Sequence, residues 1–308
     1  MAPNPDYNNL AAFHAKLARS RRILAVCGAG LSASSGLATF RGAGGLWRNY
    51  EAMALATPEA FEKDPGLVWM FYAYRRHMAL QAKPNAGHYA LAELAKRNPE
   101  FLCLSQNVDH LHVRANHPST QLKLLHGSLF TLKCSSPTCD YTEPENFASP
   151  LCPALAPAAV EAPTSPTEIH PLLDTTHPLP QIPPSSLPHC PQCKQQETAS
   201  LLRPGVVWFG EPLDSDTLAS IDAWIAREHV DMVLVVGTSS LVWPAAGFAE
   251  QARRVGTSVV HVNLDAEEVG NVRRLGREDF AFAGDAAEVL GRLLGPVVGR
   301  WDGGWGGV

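Results

Sequence analysis

Four short apolar runs constrain this chain more than any other feature: residues 23–26, 101–104, 230–236 and 258–262. Each is continuous rather than alternating, which marks a strand buried on both faces of a parallel sheet. Helical patterns, for example 86–97 and 214–228, lie between them. That alternation predicts an α/β protein built on a doubly wound parallel sheet. A chain of 308 residues permits two domains, or one large domain carrying a smaller one. Hydrophobic residues at 45% and charged residues at 18% exclude global disorder, collagen-like repeats and coiled coil. A net charge of -5 supplies no positive field for phosphates, so nucleic acid is not an expected ligand. No run approaches the roughly 18 apolar residues of a bilayer span. Residues 1–22 lack the apolar core of a secretory signal. Lys16, Arg19, Arg21 and Arg22 on an amphipathic pattern leave a mitochondrial presequence open, although Asp6 and the early prolines fit it poorly.

The first run stops at Gly28-Ala29-Gly30-Leu31-Ser32-Ala33, ahead of a helical pattern, and so fits the G-x-G-x-x-G/A turn of dinucleotide sites. Two glycines there let the chain turn tightly and let a pyrophosphate approach the backbone, while a helix N-terminus offers N–H donors. The same glycines also suit a plain strand-to-helix turn. The acidic residue that usually closes the second strand is missing, since Glu51 lies outside any strand pattern.

Seven cysteines, an odd number, point to reduced thiols or metal ligands rather than a disulfide framework. Cys134-x4-Cys139 and Cys190-x2-Cys193 form two close pairs that suit one tetrahedral zinc. Four protein ligands leave no open position, so the ion is structural. Cys27 and Cys103 read as core thiols, and Cys152 is left over. Between the pairs, residues 153–188 hold ten of the 25 prolines, no Lys or Arg, and only Glu161, Glu168 and Asp174 as acids. This stretch reads as a low-complexity loop with no means of building a core, extending from the zinc module without disturbing the sheet. Four glycines in residues 301–308 give the composition of a frayed tail.

The glycine turn continues through Ser35-Gly36 to Thr39-Phe40-Arg41-Gly42, and four more blocks follow in order: Gln106-Asn107-Val108-Asp109, His126-Gly127, Phe209-Gly210-Glu211 and Gly237-Thr238-Ser239. In these blocks, from about residue 21 to 295, the chain resembles the sirtuins, NAD-dependent protein deacylases. The resemblance implies a Rossmann-type domain assembled from residues 1–49, 101–132 and 201–300. It also implies a smaller lobe made of a helical part, 50–100, and a zinc module, 133–200, that carries the insertion 153–188. NAD would lie between the lobes against Gly28, Ala29, Gly30, Ser32, Trp47, Gln106, Asn107, Asp109, Gly237, Thr238, Ser239, Asn263, Leu264, Asp265 and Ala286. Phe40 and Arg41 would sit in a loop that closes over it.

Asn107 and Asp109 would hold the nicotinamide amide, which needs a donor and an acceptor; Asp109 also suits a helix N-cap. Thr238 and Ser239 would donate to phosphate, and Asn263 would contact ribose in place of the missing acid. His126 matches the family's catalytic histidine, and an imidazole titrating near neutrality takes a proton from a ribose hydroxyl. The implied products are nicotinamide, O-acyl-ADP-ribose and free lysine.

Residues 206–211 read as an extended segment, and Val207, Phe209, Gly210 and Glu211 would bind an acyl-lysine protein or peptide through backbone pairing with broad specificity. Tyr72 and Arg75 are three apart in the helical pattern of residues 67–80 and face the same side. A guanidinium beside a phenol suits an acyl group that ends in a carboxylate. With the small Ala56, they match the class III sirtuins, which act on succinyl, malonyl and glutaryl lysine. Packing for Tyr72 and a surface ion pair for Arg75 are the alternative. Gly205 stands where that class would carry histidine and is expected to alter the pocket rim.

A deacetylase, an ADP-ribosyltransferase and a non-catalytic zinc-bearing module remain the competing functions. The expected protein is a monomer with no nucleic-acid or membrane partner. Its compartment is mitochondrial by class III resemblance, with cytoplasm and nucleus as alternatives.

Overall fold

The computed structural model describes residues 5–39, 45–161, 170–195, 200–238 and 247–299. Phe40, Arg41, Ser239, the substrate-side loop 240–244 and the tail 301–308 lie outside them.

The runs become strands of one six-stranded sheet, in spatial order Phe280–Ala283, Ser258–Asn263, Met232–Val236, Ile23–Cys27, Phe101–Ser105 and Leu122–Leu124. Every neighbouring pair is parallel. Counted along the chain the order is 3-2-1-4-5-6, and the winding reverses between Ile23–Cys27 and Met232–Val236. All residues of those two strands and of Phe101–Ser105 are buried, as their unbroken apolar character requires.

One face of the sheet is covered by the helices Leu10–Leu17, Ala86–Arg97 and Ala286–Val298, which share a core with Ile23, Phe101, Leu234 and Val262. Ser215–Arg227 and Gly247–Ala252 cover the other face through Ile221, Ile225 and Phe248. The placement of Ala86–Arg97 corrects the expectation that residues 50–100 belong to the smaller lobe. Its stripe Leu91, Leu94 and Ala95 meets Leu290 and Leu294, and the helix packs along Ala286–Val298 rather than with Pro65–Gln81. Asn85 opens it with a capping box that uses His88.

The smaller lobe has its own core. The helix Pro65–Gln81 contributes Trp69, Phe71 and Tyr72, and packs against a three-stranded antiparallel sheet of Thr142–Glu143, Gly127–Cys134 and Leu202–Val206. Arg76 is buried in this lobe and donates to the Leu129, Asn146 and Ala148 carbonyls, tying the helix to the zinc module.

The Pro-rich insertion departs from its sequence reading. It forms short 3-10 turns at Pro153–Ala159, Pro171–Leu173 and Pro184–Ser186, and buries Leu155, Ala158, Leu172 and Leu187 in the lobe's core. Prolines fix φ before folding and reduce the entropy lost on ordering, so a few spaced leucines suffice to dock the segment. The Arg48 guanidinium, beside the two-stranded hairpin of Leu46–Trp47 and Tyr50–Glu51, donates to the carbonyls of Leu172 and His177.

The extended segment expected at residues 206–211 is shifted. The strand is Leu202–Val206, and the chain then turns, with the Glu211 N–H donating to the Trp208 carbonyl at 3.0 Å and Gly210 at φ 89°.

Candidate active site

The carboxyl ends of the first and fourth strands meet at the winding reversal, where an open α/β sheet offers its binding crevice. Their two turns are in close contact. A Cβ on Gly28 would fall 2.6 Å from Thr238 Cβ, and one on Gly30 would fall 2.8 Å from Gly237 Cα. Only glycine lets the turns pass, and Gly237 itself has φ 57°. A cavity of about 640 Å³ opens there and extends into the smaller lobe. It is lined by the anticipated Gly28, Ala29, Gly30, Ser32, Trp47, Gln106, Asn107, Asp109, Gly237, Thr238, Asn263, Leu264 and Ala286. Asp265 does not line it; it is exposed and accepts from Asn263 Nδ2 at 2.9 Å, so it orients Asn263 instead.

Behind the turn, a buried polar network fixes Ser32, Asn107 and Asp109. Asn107 Nδ2 donates to the Gly28 carbonyl at 3.0 Å and to Ser32 Oγ at 3.1 Å, while Ser32 Oγ donates to Asp109 Oδ2 at 2.6 Å. The Leu111 N–H donates to the other oxygen of Asp109 at 2.9 Å. One oxygen of Asp109 thus meets the first N–H of the turn Leu111–Arg114, whose N-cap is His110, and the other joins the buried network. His110 between them has φ 68°, a left-handed strain of the kind that gathers at functional sites. His88, fully buried 3.4 Å from Ser32 Oγ, is held neutral by burial.

His126 follows the strand Leu122–Leu124 and lines the cavity. Its Nδ1 lies 2.9 Å from the Gln106 carbonyl, which only accepts, so Nδ1 carries the proton and Nε2 keeps its lone pair. Burial lowers its pKa and the Gln106 bond opposes that only in part, so the ring is neutral at physiological pH. A neutral imidazole with one oriented lone pair is equipped to remove a proton. Gln106 Nε2 is fixed in turn by Thr238 Oγ1 at 3.1 Å.

From the smaller lobe, Ala56, Phe71, Tyr72, Tyr74, Arg75 and Met78 also line the cavity. Trp208 Nε1 donates to the Tyr72 hydroxyl at 3.0 Å, and burial pushes the phenol's pKa up to about 12, so Tyr72 keeps a proton to donate. Arg75 lies 5.5 Å from the Phe71 ring centre. Burial lowers its pKa, and Tyr72, Asp109 and Tyr74 counteract that. Tyr72, packed in the lobe's core, and Arg75 thus both line the cavity.

Val207, Phe209, Gly210 and Glu211 line the cavity as anticipated, but the Glu211 carboxylate is already engaged. Arg203 grips both of its oxygens at 2.5 and 2.8 Å, stacks 3.3 Å from the Trp208 ring centre, and leaves Glu211 to accept from the Trp208 N–H at 2.8 Å. Glu211 therefore shapes the turn that presents Val207 and Phe209. Gly205 does not line the cavity; a Cβ there would meet Thr131 at 2.5 Å, so this glycine serves the contact between two strands rather than the pocket rim.

Cys134, Cys139, Cys190 and Cys193 converge with all four sulfurs within 4.8 Å of one another. The pairs Cys134–Cys193 and Cys139–Cys190 stand 3.6 and 3.8 Å apart, which fits four thiolates around a tetrahedral zinc, whose sulfur separations are about 3.8 Å. Cys152 stays outside and faces the Ser186 carbonyl.

Sequence reading missed Met78, Ala79 and Leu173 among the lining residues. Met78 and Ala79 repeat the helical spacing of Phe71, Tyr72 and Arg75, which could have found them. Leu173 comes from the insertion and carries no local signal.

The Sir2 family profile matches residues 28–244. The chain is 43% identical to an NAD-dependent protein deacylase of Candida albicans, over 94% of this chain and 98% of that protein. It is 42% identical to the mitochondrial NAD-dependent protein deacylase sirtuin-5 of Xenopus tropicalis, over 95% and 86%. Among solved structures, a Sir2 homologue in complex with NAD superimposes with a TM-score of 0.70 at 33% identity, covering 95% of this chain and 94% of that one. A complex of Sir2 with a p53 peptide and NAD+ gives 0.67 at 25% identity, covering 94% and 98%.

Proposed function

This chain belongs to the Sir2 family and is an NAD-dependent protein deacylase, and on that premise we propose that it removes succinyl, malonyl and glutaryl groups from lysine in preference to acetyl. The observation that carries this reading is the shared cavity: His126, whose Nε2 keeps its lone pair, and Tyr72 and Arg75 all line it.

NAD supplies an electrophilic ribose carbon and nicotinamide as its leaving group. The side chains position and move protons around it. The Gly28–Gly30 and Gly237–Thr238 turns line the cavity and would hold the pyrophosphate. Asn107 and the Ser32–Asp109 pair orient the nicotinamide amide. His126 takes a ribose hydroxyl proton on Nε2, while its Nδ1–H remains on the Gln106 carbonyl. The Arg203–Glu211 pair braces the turn against which the peptide backbone lies. Tyr72 donates one hydrogen bond to the distal carboxylate and Arg75 supplies the compensating charge in a half-buried site, where a charge-assisted contact is stronger than in water.

One peptide carrying acetyl-lysine or succinyl-lysine, incubated with NAD and purified protein, tests this reading. Succinyl removal is expected to be the faster, and Arg75→Met is expected to reverse the order. Faster acetyl removal that is insensitive to Arg75→Met would refute the carboxylate clamp. We also place the protein in the mitochondrion, supported by the names of its sirtuin-5 relatives from dog and Xenopus tropicalis; fractionation that finds it only in cytosol or nucleus would overturn this.

A further inference from the structure

Beneath the nicotinamide network lies a second group of soft ligands. Cys27 ends the first strand, Cys103 lies in the adjacent strand, and His112 sits in the turn Leu111–Arg114; all three are buried and none lines the cavity. Their ligand atoms are within 4.8 Å of one another. The two sulfurs are 3.9 Å apart, close to the 3.6 and 3.8 Å in the four-cysteine cluster and to the separation in a tetrahedral zinc–thiolate site, about 3.8 Å. The sequence reading of Cys27 and Cys103 as plain core thiols does not account for the third member. His112 is buried at 1% exposure; neither ring nitrogen reaches an oxygen or nitrogen partner, and the ring interacts instead with the Cys27 thiol of the same cluster. Buried imidazole nitrogens ordinarily find such a partner.

We propose that Cys27, Cys103 and His112 form a second metal site, which takes a thiophilic divalent cation, zinc by preference, behind the nicotinamide pocket. Two thiolates and a neutral imidazole cancel a charge of two, so the loaded site places no net charge in the core. On binding, each thiol loses its proton to solvent and a metal–sulfur bond forms; no oxidant or reductant is needed. Three protein ligands leave the fourth tetrahedral position to a water or small anion. The loaded ion ties the first strand to the second and to the turn that follows Asp109. The Cys27 carbonyl accepts the Gln106 N–H at 2.9 Å and the Gly28 carbonyl accepts Asn107 Nδ2, so the site is one residue removed from the cofactor-binding side chains.

The test counts metal, so it does not depend on turnover or acyl preference. Purified protein with its structural zinc is dialysed against excess zinc and then against metal-free buffer, and zinc per chain is measured by mass spectrometry. Wild type is expected to hold one equivalent more than Cys103→Val, which refills the core volume, and one more than His112→Gln. In cadmium-substituted protein, cadmium NMR should show two resonances in wild type, one sulfur-rich and one of mixed sulfur and nitrogen ligation, with only the second lost in either variant. Equal zinc content in all three proteins, or a single cadmium resonance in wild type, would overturn the site. Should Cys103→Val misfold, the wild-type resonance count and His112→Gln decide.

Discussion

At the residue scale, the chemistry rests on what neighbours do to a few side chains. His126 was legible because of its block, but its tautomer was not, since that depends on the Gln106 carbonyl one strand away. His126→Asn should lower turnover by about 10²–10⁴, the usual contribution of a general base, without abolishing NAD binding; nicotinamide release and NAD titration together check this. Burial holds the folded His126 pKa below its ordinary 6.5. The active form is deprotonated, so kcat/KM should fall on the acid side with a midpoint below 6.5 and be level at higher pH. An acid limb centred above 6.5 would contradict the neutral-base assignment. Tyr72 and Arg75 were legible from helical spacing, yet the donation of Trp208 Nε1 to Tyr72 joins positions 136 residues apart. Losing a charge-assisted contact costs about 1.5–3 kcal/mol, so Arg75→Met should slow desuccinylation roughly 10- to 100-fold and leave acetyl turnover within a few-fold.

At the element scale, continuous apolar runs announced the buried strands, because a strand covered on both faces has no polar side to reveal. The order 3-2-1-4-5-6 was not written in any one of them, because it depends on which strands pair across long stretches of sequence. Ala86–Arg97 was read as a helix with the bounds it has in the fold, but the partner of its apolar stripe, Ala286–Val298, is remote in sequence. The insertion was misread because composition reports neither pre-set proline φ values nor the spacing of Leu155, Leu172 and Leu187 against a distant helix. A docked insertion makes a different prediction from a loose one. Leu155 is fully buried, so Leu155→Ala should cost about 2–4 kcal/mol by chemical denaturation, whereas a loose surface loop would give about 0.5 or less. Leu173 faces the cavity near the anticipated acyl wall. Leu173→Ala should therefore shift the relative rates of malonyl, succinyl and glutaryl removal, read from competing peptides, while nicotinamide release with the preferred peptide persists.

At the scale of the whole molecule, several histidines are buried within the fold, and this makes stability depend on proton uptake. His88, His117 and His126 all have lowered pKa values, burial being the largest cause in each, with His117 drawn down to about 4. Each is neutral in the folded protein and regains its ordinary pKa of 6.5 on unfolding. Below 6.5 the unfolded chain therefore binds more protons than the native one, and stability must fall as pH falls. Their contribution is intact above 6.5, is lost progressively down through the folded values, and for His117 is complete near 4. That histidine alone corresponds to roughly 3 kcal/mol at full protonation. The carboxylates with lowered pKa, Glu211, Asp214 and Asp174, act in the same direction but only below their ordinary 4.5 and 3.8, so the fall between 6.5 and 5 belongs to the imidazoles. Urea midpoints should be constant from pH 7 to 8, decline between 6.5 and 5, and decline less in His117→Phe than in wild type. A midpoint that rises or stays level from 6.5 to 5 would mean that these imidazoles are charged in the folded protein. In that event the neutral His126 on which the proton transfer depends would lose its support as well.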